Sequence, residues 1–110
     1  MTLVDTYEFF YTGGGVWNIE GRLTTGEYFA GECYENPAYC DHRLCLYRTK
    51  ESEERNSWEC FDENDPDFIG EYDLSDDRTR NVWREVYERE IAKHDYTYNL
   101  VERKIKEVLA

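Results

Sequence analysis

The side chains best suited to chemistry fall close together in the chain: Cys33, Cys40, His42 and Cys45, with Cys60 further on. A Cys-x6-Cys-x-His-x2-Cys spacing supplies enough soft donors for a tetrahedral zinc ion. On that reading Cys40, His42 and Cys45, in and after the loop around Pro37, are the first ligands and Cys33 is the fourth. Two features argue against it. The spacing lacks the paired two-residue gaps of zinc knuckles. Strand alternation also places Cys33 and Cys60 with core aromatics, while Cys45 points away from Leu44 and Leu46. Free cysteine is commonly a buried, inert residue. The thiols are therefore expected to be packed or in a loop, with no cofactor, and zinc is the alternative.

Other chemistries find less support. Cys40 and His42 can be drawn as a thiol–imidazole pair, but nothing adjacent supplies an oxyanion hole. His94 falls on an apolar helical stripe, the place of a packed residue. Asp62, Asn64, Asp65 and Asp67 are rich in oxygen donors, yet Pro66 and Asp67 stand where a calcium loop needs a ligand and a turn glycine. Gly13-Gly14-Gly15 lacks the Lys-Ser/Thr that follows a phosphate loop, so it is read as a turn. The expectation is a non-enzyme.

Charge is the strongest signal. Residues 1–75 hold 17 acids against five bases, a net charge of −12, whereas residues 76–110 hold eight of each. Glu59, Asp62, Glu63, Asp65, Asp67, Glu71, Asp73, Asp76 and Asp77 follow one another with no intervening base. Such a field repels nucleic acid and steers a basic partner to one surface. Trp58 and Phe68 lie among these acids, and aromatic anchors ringed by charge suit a protein interface. The partner-binding set expected from sequence is Trp58, Glu59, Asp62, Glu63, Asp65, Asp67, Phe68, Glu71 and Asp73. Neutralising Asp62, Glu63, Asp65 and Asp67 together is expected to weaken binding and leave the fold intact. Arg78, Arg80, Arg84 and Arg89 are answered by Glu85, Glu88 and Glu90, so direct nucleic-acid binding is not expected.

These residues need a scaffold, and 110 residues suffice for one domain with one core. Acidic chains with few aromatics stay disordered, but 16% aromatic content predicts a folded chain here. No basic, apolar leader opens the chain. No apolar run approaches the ~20 residues of a membrane span. The expected compartment is the cytoplasm, with no membrane contact.

Aromatic and β-branched residues predict strands at Val4–Thr12, Val16–Leu23 and Glu27–Tyr34. The glycine triplet joins the first two, and Thr24-Thr25-Gly26 leads into the third. Arg43–Arg48, Asn56–Phe61 and Phe68–Leu74 follow as shorter strands, with Thr49–Arg55 as a charged connector. Ser75 ahead of Asp76 and Asp77 predicts a helix start capped by the serine hydroxyl. Trp83, Tyr87, Ile91, His94, Tyr98, Val101, Ile105 and Val108 then recur at helical spacing. An unbroken helix to Leu109 would be about 50 Å long, more than a small sheet covers. A break is expected over 94–99, which is poor in helix formers. An unbroken helix would instead pair with a second copy in a homodimer.

The fold class expected is α+β: an antiparallel, curved meander of five or six strands with the C-terminal helical segment on one face, in a single domain spanning 1–110. In size, acidity and mixed fold the whole chain resembles the small acidic phage-encoded inhibitors of bacterial defence nucleases, the anti-CRISPR and anti-restriction proteins. The resemblance implies an inhibitor acting in a bacterial host cell, which occupies the basic nucleic-acid-binding surface of a nuclease. It carries over no functional residue. An immunity protein or antitoxin against a basic toxin is one alternative, and a zinc-bearing structural adaptor is another.

Overall fold

Gly13, Gly14 and Gly15 take φ values of 102°, 63° and 78°, which side-chain-bearing residues rarely adopt, and this triplet turns the chain tightly between its first two strands. The computed structural model describes residues 2–34, 42–56 and 64–93. Strands β1 (Val4–Gly13), β2 (Val16–Leu23), β3 (Tyr28–Tyr34), β4 (Arg43–Tyr47) and β5 (Phe68–Tyr72) pair antiparallel in the order β1-β2-β3-β4-β5. Helix α1 (Lys50–Asn56) lies between β4 and β5, and α2 (Asp77–Lys93) follows β5. The fold is therefore the α+β meander expected, with an open sheet edged by β1 and β5.

The two faces of the sheet differ in chemistry. Phe9, Ile19, Gly31, Leu44 and Tyr72 are consecutive partners across all five strands and form one row of the first face. Ile19 and Leu44 join Leu23, Phe29, Cys33 and Leu46 in the core, which Val82, Trp83, Val86 and Tyr87 of α2 complete. Burying a side chain of this size stabilises by about 1.5–3 kcal/mol. The neighbouring row of the opposite face reads Glu8, Glu20, Ala30, Cys45 and Glu71. Beside it runs Thr6, Arg22, Tyr28, Tyr47 and Phe68.

A bulge keeps the pattern in phase at the start of β1. The pairing steps from Val4 with Leu23 to Thr6 with Arg22, so Val4 and Tyr7 both face α2. The local pinch explains Gly21, because a Cβ there would collide with the Thr6 carbonyl. Glu85 of α2 accepts from the amides of Leu3 and Val4, each at 3.0 Å to Oε2, and Arg89 donates to the Val4 carbonyl at 2.7 Å. These bonds fix α2 to the first residues of the edge strand.

Three expectations need correction. The segment 49–55 is not a connector but contains α1. Thr49 Oγ1 accepts from the Ser52 amide at 3.1 Å as the helix cap, with Glu51 and Glu53 in the first turn and Arg55 in the last. The helix α2 is capped by Asp76, not Ser75: Asp76 Oδ1 accepts from the Arg78 amide at 2.8 Å, while the Ser75 hydroxyl donates to Asp73 Oδ1 at 2.5 Å. Of the expected strand Asn56–Phe61, Asn56 closes α1. The rest of that strand, and the residues on which the expected break at 94–99 rests, lie outside the described residues.

Candidate binding site: a carboxylate-lined cleft

Helix α1 crosses the face of the sheet that α2 leaves uncovered, and packs against β3 and β4. Two polar residues hold it there. Ser52 is fully buried and donates to Asp65 Oδ2 at 2.9 Å, while Arg55 reaches the same oxygen at 2.8 Å. Asp65 Oδ1 accepts from the Asp67 amide at 3.0 Å. One carboxylate thus ties α1 to the turn before β5, and Tyr47 is sealed beneath the helix at 1% exposure with its ring 5.5 Å from that of Phe68.

The space left between α1 and the first three strands is a cleft of about 600 Å³. Glu8 of β1, Glu20 and Arg22 of β2, Tyr28 of β3, and Lys50, Glu53 and Glu54 of α1 are among the residues that line it. Glu53 is only 6% exposed and its Oε1 has no hydrogen-bond partner. Its carboxyl lies against that of Glu20, and burial first, then the Glu20 charge and a hydrogen bond with Glu20, push its pKa up to about 7. At neutral pH the Glu53 carboxyl is therefore about half protonated. Lys50 is the only cation among the causes and pulls the other way; its head stands 4.0 Å from Glu54, with both side chains more than half exposed.

The acids named from sequence are dispersed by the fold. Asp65 is buried and used internally, so neutralising it would disturb the fold instead of leaving it intact. Glu71 pairs with Arg43 at 3.3 Å, and Asp67 gives its carbonyl to the Arg48 amide at 2.7 Å. Asp73 is exposed, and the Ser75 hydroxyl and amide hold its carboxyl below the usual range. Phe68 is half-buried against Tyr47 and is not a free anchor. Trp58, Glu59, Asp62 and Glu63 lie outside the described residues.

The candidate metal ligands are divided as well. Cys33 and His42 lie on the α2 side, both buried, and meet at Tyr87: its hydroxyl is 2.7 Å from His42 Nε2 and 3.3 Å from Cys33 Sγ. Cys45 stands on the opposite face of β4, its thiol pushed up to about 11 by burial and by Glu71. Cys40 is outside the described residues. Among the described residues no group of three or more His, Cys, Asp or Glu side chains gathers to hold a metal ion. No described helix is long and apolar enough to cross a membrane.

The cleft carboxylates escaped sequence reading because Glu20 and Glu53 are far apart in the chain and neither lies in the acidic run. The one available signal was alternation in β2, which sends Glu20 away from Ile19. In comparisons with known proteins, no family model, no curated protein and no solved structure matches the chain.

Proposed function

We propose that this chain is a non-enzymatic binding protein that uses its acidic side to occupy a basic surface on another protein, namely the phosphate-gripping channel of a nucleic-acid enzyme such as a nuclease. The observation that carries the reading is the one-sided charge: −12 over residues 1–75 and zero beyond. The face that α2 leaves uncovered adds to it, with Glu8, Glu20 and Glu71 in one row across the sheet and Glu32 on the row beside it. Glu51 and Glu54 of α1 are exposed beside this face. A Lys/Arg groove built for a polyanion accepts such a surface, and association is fast at low salt and weak at high salt. Inhibition follows by exclusion of the nucleic acid. In that role the protein works inside a bacterial host cell.

The test is capture from a bacterial lysate on the tagged protein at low and high salt, followed by nucleic-acid competition on whatever is retained. A basic nucleic-acid enzyme that is released by salt, and whose substrate competes with the chain, is the outcome expected. A target that binds its nucleic acid and this chain at the same time would refute occupation of the channel.

A further inference from the structure

The geometry points to helix α1 as a pH-released strap: it lies on β3 and β4 while the Glu53 carboxyl holds a proton, and comes off the sheet when that proton leaves. The device is independent of the partner proposed above, and it governs whether the sheet face opposite α2 is covered.

The contact between Glu53 and the sheet carries the inference. Glu53 is 6% exposed, and its Oε1 is buried with no hydrogen-bond partner among the described residues. Such an oxygen is tolerated on a neutral acid and strongly disfavoured on a carboxylate, which has lost its water and gained no donor. The carboxyl is also hydrogen-bonded to that of Glu20 on β2. Two carboxyl groups form a hydrogen bond only when one of them is protonated, since an ionised carboxylate only accepts. The closed position of α1 therefore requires a proton at this contact.

Helix α1 has little else to hold it down. The segment Lys50–Asn56 reads KESEERN and contains no apolar side chain, so no hydrophobic burial of its own opposes release. Its buried residues are Ser52 and Glu53, and Ser52 and Arg55 hold on to the single carboxylate of Asp65. A helix of this length does not persist without tertiary contacts. Leaving the sheet thus means unravelling, and it uncovers Tyr47, which is 1% exposed in the closed position.

The charged and titratable groups around Glu53 are Glu8 of β1, Glu20 and Arg22 of β2, Tyr28 of β3, Tyr47 of β4, and Lys50 and Glu54 on its own helix. Lys50 favours the ionised form, but its head is mostly exposed and stands 4.0 Å from Glu54. Burial, then the Glu20 charge and hydrogen bond, outweigh it and raise the Glu53 pKa from 4.5 to about 7. In the released strap the group returns to its ordinary range. The proton therefore holds the strap fully below about pH 4.5, and its hold is lost as pH rises through about 7.

The experiment is native-state amide hydrogen exchange of the full chain, read by NMR at about pH 5.5 and about pH 8, with and without a low concentration of urea. After correction for intrinsic rates, the amides of Glu53–Asn56 should lose protection by about thirtyfold from the lower pH to the higher. At both pH values they should exchange faster than those of Val82–Tyr87 in α2. Low urea should leave them almost unmoved, because release of one short helix exposes little surface. Glu53→Gln, which donates without ionising, should keep α1 equally protected at both pH values. Should that variant fail to fold, Glu20→Gln takes its place, and the pH effect on α1 should shrink because the facing charge is gone. Protection of α1 that does not change with pH would overturn the strap. So would α1 and α2 amides that share one exchange rate and one urea dependence, since α1 would then leave only when the whole chain unfolds. A pH effect that persists in full in these variants would place the switch on another group.

Discussion

The hydroxyl of Tyr87 meets Nε2 of His42 at 2.7 Å inside the core, and Cys33 Sγ approaches the same oxygen at 3.3 Å. The ring of His42 stands edge-on to Trp83 as well, at 5.0 Å between centroids, and Trp83 Nε1 donates to the Arg43 carbonyl. Cys33 and His42, two of the residues whose spacing suggested zinc ligands, thus meet α2 at one hydroxyl. Polar contacts in such a dry interior fix the register of a helix that apolar packing alone leaves free to slide.

Tyr87→Phe tests that role. The ring and its packing stay, while the oxygen that both His42 and Cys33 meet is lost. A destabilisation of about 1–2 kcal/mol is expected, measured by urea unfolding with unchanged slope. An unchanged midpoint would show that the hydroxyl contributes nothing to docking.

Asp65→Ala should act on a different part of the molecule. It strips the acceptor from the Ser52 hydroxyl and the Asp67 amide, so a loss of about 2 kcal/mol is expected. The exposed Arg55 head adds little. Hydrogen exchange should speed up first in α1. If α1 amides keep their protection, the helix is held by something other than this carboxylate.

Stability should fall as pH rises through the range set by Glu53. Its folded pKa is raised from 4.5 to about 7, so between those values the folded state holds a proton that the unfolded chain has released. The contribution is complete below about pH 4.5 and lost by about pH 7, on the order of 2 kcal/mol. Glu53→Gln should flatten this slope in a series of unfolding midpoints. Identical pH profiles for the two proteins would contradict a raised pKa at Glu53.

Cys45 should be a slow nucleophile. With its thiol pushed up to about 11 from 9.0, its thiolate at mildly alkaline pH is scarcer than that of an unperturbed thiol by about a hundredfold. Peptide mapping after iodoacetamide should show Cys45 alkylated slowly in the folded protein and rapidly in urea. Rapid labelling of folded Cys45 would place that thiol in an open, polar setting.

The strands were largely legible because they follow local rules. Alternation in Tyr7–Phe9–Tyr11 and Trp17–Ile19, with glycines between, dictates a hairpin and tells which side faces the core. The start of α2 was legible too, although its cap fell one residue later, since Ser75 and Asp76 compete for the same amides and the serine hydroxyl is drawn to Asp73. Helix α1 was not, because its buried face is made of Ser52 and Glu53 instead of apolar residues, so periodicity carries no signal. The same fact hid the cleft: a charge count weighs Glu53, Asp65 and Glu71 alike, yet one lines the cleft, one holds a helix and one pairs with Arg43. Only tertiary packing separates those roles.

The most direct test of the central claim compares two charge-matched variants for binding to a captured basic target. Glu8→Gln/Glu20→Gln/Glu54→Gln neutralises the cleft face, and Asp77→Gln/Glu88→Gln/Glu107→Gln removes equal charge from the charge-balanced residues 76–110. The account predicts that affinity falls by about tenfold or more only in the first, together with a shallower salt dependence. Equal loss in both variants, or none in the first, would contradict a binding surface on this face.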